Sequence, residues 1–354
     1  RYKNTSDKSK FKIAVVQSGE WYTYVDVFKS IINGFITLGW FKDIELANDP
    51  EITLKNYLIM LNKLNYSDYL SITPDNFFDF DWDDTKENSP AYQNFISNLD
   101  ADLIISLGTM ASQILSKPDN FHIPVLVESV SEPIESGILL SKEDSGRDYL
   151  TGSIDPDQNL RQIRLFHDVV KFSKLGIIYT DTDVGKSYAG YKDILSVSKE
   201  KNFEVIENTD VIEDPLDEDI PLAEFKYLKA IEKIAPNIDA FYLTIQGGLT
   251  ENNISKIMNI LNKYKIPTFA MEGSIFVKKG ALLGESQAEF FSVGLYNAKK
   301  IVSILNGVKP RSLGQTFEHT PHIAINLKEA KIIDYDVPID VIASSDEIYL
   351  KIGY

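Results

Sequence analysis

Short apolar segments alternate with longer amphipathic ones along almost the whole chain, and this alternation limits the possible folds more than any other feature. Apolar runs rich in β-branched residues are typical of buried strands, and the stretches of about 10–18 residues between them have the apolar spacing of helices. We predict strands at Phe11–Gln17, Ala101–Gly108, Ile123–Val130, Lys174–Thr180, Phe203–Glu207, Asp239–Ile245, Ile266–Glu272 and Ala281–Ser286. We predict helices at Val25–Leu38, Gln158–Val170, Gly185–Lys201, Leu222–Ala235, Glu251–Tyr264 and Ala288–Asn306. Strands and helices that alternate in this way predict βαβ units around a parallel sheet.

The predicted strands are continuously apolar, which indicates a sheet that is buried by helices on both faces. The fold class is therefore doubly wound α/β. The chain has 354 residues, more than the ~250–300 at which a single core usually stops growing, so we expect two lobes. In such sheets ligands bind beyond the carboxyl ends of the strands, so the residues directly after each strand are the candidates for function.

Charge and composition exclude several classes of partner and chemistry. With 52 acidic and 36 basic residues, the net charge is −16, which repels nucleic-acid backbones and anionic membrane surfaces. The absence of cysteine excludes disulfides, thiolate metal sites and cysteine nucleophiles. No apolar run reaches the ~18–20 residues that span a bilayer. The polar residues 1–10 predict a flexible N-terminal tether.

Two acidic segments, 74–90 and 213–221, interrupt the alternation. We interpret both as solvated insertions at the protein edge, with partner docking as the alternative. The aspartates of the first segment alternate with Phe and Trp and lack the spacing of a calcium loop, so we predict no calcium site there.

The residues after the strands suggest a site for a small polar molecule. Gly108, Thr109 and Met110 end a strand and begin a helix, so their backbone N–H groups are suited to a carboxylate, while Thr109 is equally suited to cap the helix. Aromatic residues follow the first strand of each predicted lobe and are suited to a planar or apolar ligand; they are Trp21, Tyr22, Tyr24, Tyr179 and Tyr188. An ammonium group would need an acidic acceptor, for which the strand ends offer Glu20, Asp181, Glu272 and Glu285.

Evidence for an enzyme is thin. The chain has no GxSxG motif and only four histidines, and a hydrolase built on its abundant Asp and Glu has no positive signature. Gly185–Ser187 reads GKS, but a phosphate-binding loop requires glycine at position 180, where Thr180 stands. His319 and His322 flank Pro321, which opposes the helix that a metal site would need. We predict no catalytic residue, no metal and no cofactor.

Several motifs in their order resemble the tryptophan/tyrosine-transport type of ABC transporter substrate-binding protein. They are DLIISLGTMASQIL (Asp102–Leu115), IPVLVESVSEPIESGI (Ile123–Ile138), LTGSIDP (Leu150–Pro156), KLGIIYT, DAFYLTI, KIPTFAMEGSIFVKKGALLGES, ILNGVKP and HIAINLKEAKIIDYDVP. The resemblance covers Phe11 to Ile342. It departs from the family pattern at Glu132, which replaces the usual Asp, and at Gln246, Ser286 and Gln287.

The resemblance implies a type I periplasmic-binding fold, with two Rossmann-like lobes joined by three chain crossings near Ser129–Ser136, Ala270–Gly273 and Ser312–Glu318. The expected lobes are 11–130 with 271–313 and 131–270 with 314–354. It implies a monomeric, extracytoplasmic subunit of an ABC importer, lipid-anchored upstream of Arg1, that closes by hinge motion on an amino acid, with aromatic ones favoured, or a similar small polar molecule. Its partners would be this ligand and the permease and ATPase subunits. A sensory receptor domain of the same fold and, further off, a hydrolase acting on a sugar or nucleotide are the alternatives.

Strand ends and resemblance together give one set of predicted ligand contacts. The set is Glu20, Trp21, Gly108, Thr109, Met110, Ser129, Ser131, Glu132, Tyr179, Thr180, Asp181, Ser187, Gln246, Glu272 and Ser286.

Overall fold

The computed structural model describes residues 10–44, 52–118, 121–130, 133–155, 157–213, 215–286, 288–317 and 322–353. The chain divides into two compact units. Unit 1 comprises Arg1–Pro156 and Phe290–His319, and unit 2 comprises Asp157–Glu289 and Thr320–Tyr354. The chain therefore passes from one unit to the other three times, as the predicted fold requires.

Strands and helices alternate through both units. The strands are β1 (Phe11–Gln17), β2 (Leu70–Asp79), β3 (Leu103–Leu107), β4 (Val125–Glu128), β5 (Leu150–Gly152), β6 (Lys174–Ile178), β7 (Glu204–Asn208), β8 (Ala240–Leu243), β9 (Thr268–Ala270), β10 (Leu283–Glu285), β11 (Ile323–Asn326) and β12 (Ser345–Tyr349). The α-helices are α1 (Tyr22–Thr37), α2 (Leu54–Leu61), α3 (Pro90–Ser97), α4 (Thr109–Ser116), α5 (Gln158–Val170), α6 (Asp183–Tyr188), α7 (Tyr191–Lys201), α8 (Ile220–Ile234), α9 (Ile254–Lys263), α10 (Ser274–Lys278), α11 (Ala288–Leu305), α12 (Leu327–Ile332) and α13 (Ile339–Ser344).

The two sheets repeat one strand order. Unit 1 has the parallel sheet β2-β1-β3-β4-β5. In unit 2 the parallel strands β7-β6-β8-β9-β10 have the equivalent order, and β11 extends this sheet antiparallel to β10, with β12 at its edge. The order reverses between β1 and β3 and again between β6 and β8, and in doubly wound sheets these are the points at which ligands bind. The doubly wound fold class is confirmed.

Successive apolar side chains of a single strand point to opposite faces of its sheet, so both faces are buried. On β3, Leu103 and Ile105 pack in one apolar cluster with α1, whereas Ile104 packs in another with α4. The same alternation holds on β8, where Phe241 packs in one apolar cluster of unit 2 and Tyr242 packs in another. Each unit thus has a core on both faces of its own sheet.

The observed unit boundaries differ from the predicted lobe boundaries. Residues 131–156 and 314–319 lie with unit 1, and 271–289 lie with unit 2. The reason is the pairing of short strands, because β5 pairs with β4 in unit 1 and β10 pairs with β9 in unit 2. Ile154 also forms an isolated bridge with Thr316. Of the predicted tether, only Lys10 lies among the described residues.

Each predicted strand overlaps an observed one, whereas β2, β5, β11 and β12 are not among the predicted strands. The helix predicted at Gly185–Lys201 is divided into α6 and α7, because Gly190 takes a left-handed conformation with φ +62° that ends a helix. The first acidic segment contributes the end of β2, which is an edge strand of unit 1 and continues into a short 3-10 helix at Asp84–Asn88. Pro74 is compatible with this strand because β2 is an edge strand and its register against β1 is irregular between Ile72 and Phe77.

Two glycines allow α1 and α11 to approach closely within unit 1. A Cβ atom at Gly34 would lie 2.7 Å from the Cβ of Ala298, and one at Gly294 would lie 2.3 Å from the backbone carbonyl of Ser30. Both distances are shorter than any side-chain contact that helices tolerate. No described helix is long and apolar enough to cross a membrane.

A buried acid makes the stability of the protein depend on pH. Glu329 on α12 is fully buried, its Oε2 accepts a hydrogen bond from Asn262 at 3.4 Å, and burial raises the pKa of its carboxyl from 4.5 to about 7. The native state therefore binds more protons than the unfolded state between these values, and stability falls as pH rises through them. We expect Glu329→Gln to raise the free energy of unfolding at pH 8 by on the order of 2–3 kcal/mol and to leave it almost unchanged near pH 4. Thermal unfolding across this pH range checks the prediction, with Glu218→Gln at an exposed glutamate as the control. Equal curves for the two variants would contradict it.

Candidate functional site

In unit 1 the loops that follow β1 and β3 are held together at the point where the strand order reverses. Ser18, directly after β1, accepts a hydrogen bond at its Oγ from the backbone N–H of Ala111 at 3.0 Å and donates one to the carbonyl of Leu107 at 3.3 Å. Gly108 has φ +89°, and a Cβ there would lie 2.0 Å from the Oη of Tyr24. Only glycine fits this position, because both the conformation and the space exclude a side chain.

The first turn of α4 bears two of the predicted contacts. Gly108 is the N-cap residue, so Thr109 and Met110 are the first helical residues and Thr109 does not cap the helix. Both side chains are half-buried. Ser129 follows β4 with φ +55°, a conformation that costs a non-glycine residue roughly 1–2 kcal/mol. Its neighbour Glu128 accepts the backbone N–H of Gly108 at its carbonyl, which ties the β4 end to the β3 end.

Two indole rings form a corner beyond the ends of β1 and β2. Trp82 is 50% exposed and Trp21 is 38% exposed, and their rings meet edge to face with centroids 6.2 Å apart. The backbone N–H of Trp82 donates to the carbonyl of Ser18 at 2.8 Å, and the ring lies directly on Gly19, where a Cβ would be 2.4 Å from the indole nitrogen. Asp81 and Trp82 both have left-handed backbones, with φ of 54° and 57°. Such strain persists where the surrounding structure holds it, and it is concentrated at functional sites.

Acidic groups surround this indole corner (Trp21 and Trp82). Gln17 donates through its side-chain amide to Asp79 at 2.8 Å, and Asp81 pairs with Lys86 at 3.3 Å. Partial burial raises the pKa of the Glu20 carboxyl, a hydrogen bond with Gln17 lowers it, and the charge of Asp79 raises it again. The local field therefore favours a cationic group and disfavours an anionic one.

A buried polar cluster lies at the ends of β4 and β5. The Nζ of Lys300 donates to the carbonyls of Gly152 at 2.5 Å and Gly314 at 2.8 Å, and Ser153 donates to Asn297 at 2.5 Å. Glu128 is 4% exposed, and within the described part of the chain its Oε1 has no hydrogen-bond partner. Burial raises the pKa of the Glu128 carboxyl, and the charge of Lys300 opposes this. Burial lowers the pKa of the Lys300 ammonium, and Glu128 opposes that shift in turn.

In unit 2 the loop after β6 bears three predicted contacts. The hydroxyl of Tyr179 donates to Glu207 at 2.7 Å, and that of Tyr191 donates to the same carboxylate at 3.0 Å. Tyr179 is almost fully buried, and its ring packs in the apolar core of unit 2. The exposed Asp181 pairs with Lys186 of α6 at 2.5 Å, while the buried Oγ1 of Thr180 has no hydrogen-bond partner among the described residues.

The remaining predicted contacts of unit 2 follow β8, β9 and β10. Gln246 is engaged by its own loop, since it donates to the carbonyl of Ile212 at 2.6 Å and accepts from the N–H of Gly248 at 2.6 Å. Ser286 donates to Glu347 at 2.7 Å. Glu285 accepts from the side chain of Gln158 at 2.7 Å, and Glu272 is half-buried after β9.

In each unit the predicted contacts that the structure describes lie in segments that follow the carboxyl ends of its strands. Ser187 lies in α6 of unit 2, and Ser131 and Glu132 lie outside the described residues. In the ranges that the structure describes, no group of three or more His, Asp or Glu side chains is placed to hold a metal ion.

A family model described as "ABC transporter substrate binding protein" matches residues 81–348. The chain belongs to this family. The match contains nearly all of unit 2 and the part of unit 1 from residue 81 onward, and it spans the motifs from Asp102 to Pro338.

Similarity to individual proteins agrees with this membership. A curated relative, the "Tyrosine-binding protein" of Clostridioides difficile, is 23% identical over 261 residues, which are 72% of this chain and 70% of the relative. A conserved domain protein from Vibrio cholerae has TM-score 0.69 at 17% identity, with 96% of this chain and 100% of that one covered. The ABC domain in complex with L-Trp from Streptococcus pneumonia has TM-score 0.68 at 18% identity, again with 96% and 100% covered. These structural likenesses show the fold.

Family membership makes the chain the solute-binding component of an ABC transporter. Such a component binds a small molecule outside the cytoplasm and works together with the transporter. Members of the family bind solutes rather than convert them. Two features of unit 1 were missed by sequence reasoning, namely Trp82 and the Glu128 cluster. Trp82 follows β2, so the rule that ligands bind after strands would have found it if that strand had been predicted.

Proposed function

We propose that this chain delivers an aromatic amino acid to an ABC importer. The observation that carries the proposal is the similarity to the tyrosine-binding protein along 72% of this chain. Two features of unit 1 support it. The indole corner offers ring surface at the ends of β1 and β2, and the carboxyl groups of Glu20 and Asp79 suit the ammonium group of such a ligand.

The finer features that the family resemblance implies belong to the same proposal. We expect a monomer that is held at the outer face of the cytoplasmic membrane by a lipid anchor and that passes its solute to permease and ATPase subunits. The predicted contacts at both sheet edges are part of the proposal, with Thr109 for unit 1 and Asp181 for unit 2 as the residues to test first.

A ligand screen tests the proposal directly. A solute that binds only the native state raises stability, by about 2.7 kcal/mol at 100 times its Kd, which shifts thermal unfolding by several degrees. We expect tyrosine, tryptophan or phenylalanine to give this shift, and we expect aliphatic amino acids, nucleosides, sugars and oligopeptides to give none. Isothermal titration confirms the hit, and mass spectrometry should recover the ligand unchanged.

The same titration tests the predicted contacts one edge at a time. Thr109→Ala and Asp181→Ala should each weaken the binding, while Thr37→Ala, at the end of α1, should leave it unchanged. A panel without any aromatic hit, or chemical conversion of the ligand, would overturn the proposed function.

A further inference from the structure

The indole corner combines three properties that core packing does not require. Its two rings stay exposed, although the protein's remaining tryptophan, Trp40, is 5% exposed. Two consecutive residues, Asp81 and Trp82, take left-handed backbones to place one of the rings. Gly19 leaves the space that this ring occupies. Tryptophan is largely buried on average, so strained backbone that keeps an indole accessible points to contact with a ligand.

The position of the corner is that of a ligand subsite. β2 is the parallel neighbour of β1, with Gln17 opposite Asp79, so both rings stand beyond the carboxyl ends of adjacent strands. Trp21 follows β1 and Trp82 follows β2, and the loop after β1 is bonded to the N-terminal turn of α4 through Ser18. This is the edge at which a doubly wound sheet binds its ligands.

The edge-to-face geometry selects a planar partner. With an interplanar angle of 84°, the pair presents the face of one indole beside the edge of the other. A third ring can stack on the face in an offset arrangement and meet the edge of the second, which are the two favoured geometries of aromatic pairs. The acidic residues nearby, Glu20, Asp79 and Asp81, disfavour a planar group that bears phosphate or another anionic substituent.

We propose that Trp21 and Trp82 form the subsite that holds the uncharged aromatic side chain of the solute, and that Trp82 determines the preference for aromatic over aliphatic amino acids. This inference rests on the proposed function and deepens it. The residues that it names belong to unit 1 alone.

Titration of three variants tests the subsite. Trp82→Leu should weaken binding of the aromatic amino acid about ten-fold or more, whereas Trp82→Phe, which keeps a ring, should stay within about three-fold of the wild type. Gly19→Ala should also weaken it, because the new Cβ displaces the indole without removing it. The matched control is Phe225→Leu, which removes an exposed ring from α8 in unit 2 and should change nothing. Thermal unfolding of each variant establishes that it is folded.

Fluorescence gives a readout that a structural role would not change. The wild type, excited where only tryptophan absorbs, should lose part of its acrylamide quenching when phenylalanine saturates it, because the ligand covers the two exposed indoles. The variant Trp21→Phe with Trp82→Phe retains only the buried Trp40 and should show no such protection.

The two proposals fail in different measurements. If the wild type binds no aromatic amino acid, the proposed function falls and the subsite falls with it. If the wild type binds one but Trp82→Leu binds it equally well, or if phenylalanine binds by titration and leaves acrylamide quenching unchanged, the function stands and the subsite is overturned. Normal affinity combined with lost transport would assign the corner to the transporter instead and would likewise overturn the subsite.

Discussion

Lys300→Met should lower the free energy of unfolding by about 3–5 kcal/mol, the loss typical of one partner removed from a buried charge network. Lys300 is 4% exposed, and its ammonium binds the carbonyls of Gly152 and Gly314. Met fills a similar volume but donates no hydrogen bond, so both carbonyls lose their charged partner. The variant also removes the cation that offsets the burial of Glu128.

The carbonyls that Lys300 binds are those of Gly152, the last residue of β5, and Gly314, and each lies a few residues before a chain crossing. Lys300 itself lies on α11, near whose start the chain enters unit 1. The ammonium therefore joins all three crossing segments on the unit 1 side. Gln315 adds to this junction by accepting the N–H of Gly152 at 2.7 Å. Loss of Lys300 should accordingly loosen unit 1 where the chain leaves it.

Denaturant titration of matched variants separates charge from packing. Lys299→Met removes an exposed ammonium from the neighbouring position of α11 and should change stability by less than about 0.5 kcal/mol. The double variant Glu128→Gln with Lys300→Met should recover part of the loss, since no uncompensated carboxylate then stays buried. If Lys300→Met were as stable as Lys299→Met, the bonds from Lys300 to Gly152 and Gly314 would not stabilise unit 1.

Much of the fold follows from sequence because buried parallel strands have a strong signal. β1 was predicted at Phe11–Gln17, where the structure has it, and α5 was predicted at Gln158–Val170, again as observed. β5 has three residues, too few for periodicity to mark, and β10 was predicted within Ala281–Ser286, but no local pattern shows with which strand either of them pairs. The lobe boundaries therefore needed tertiary pairing, which no local pattern contains.

The candidate site likewise has parts that local sequence patterns predict and parts that depend on tertiary structure. The turn at Gly108 and Thr109 was predicted because a glycine between an apolar strand and a helix marks a turn, and their contact with the ligand stays a prediction. Trp82 was not found, because Pro74 and the aspartates of β2 resemble an insertion and because the two left-handed residues that place its ring are not glycines. Glu128 was not singled out because its role depends on Asn297 and Lys300, more than 160 positions away in sequence.

Gly294→Ala should lower the free energy of unfolding by about 2–4 kcal/mol, although alanine is the better helix former by about 1 kcal/mol. The added Cβ would lie 2.3 Å from the backbone of Ser30, which is rigid helix rather than a movable side chain. The two helices must therefore separate, and the apolar contacts between α1 and α11 loosen, those of Phe28, Ile31, Ala298 and Ile301 in the core of unit 1 among them.

Gly314→Ala is the control for this prediction. It makes the same chemical change in the same unit at a position where a Cβ meets no atom within 4 Å. We expect it to leave stability unchanged or to raise it slightly, because alanine restricts the unfolded chain. Denaturant titration of both variants distinguishes the two effects. A Gly294→Ala variant at least as stable as Gly314→Ala would show that α1 and α11 are not packed backbone to backbone, and it would remove the support that places α11, with Asn297 and Lys300, against the sheet of unit 1.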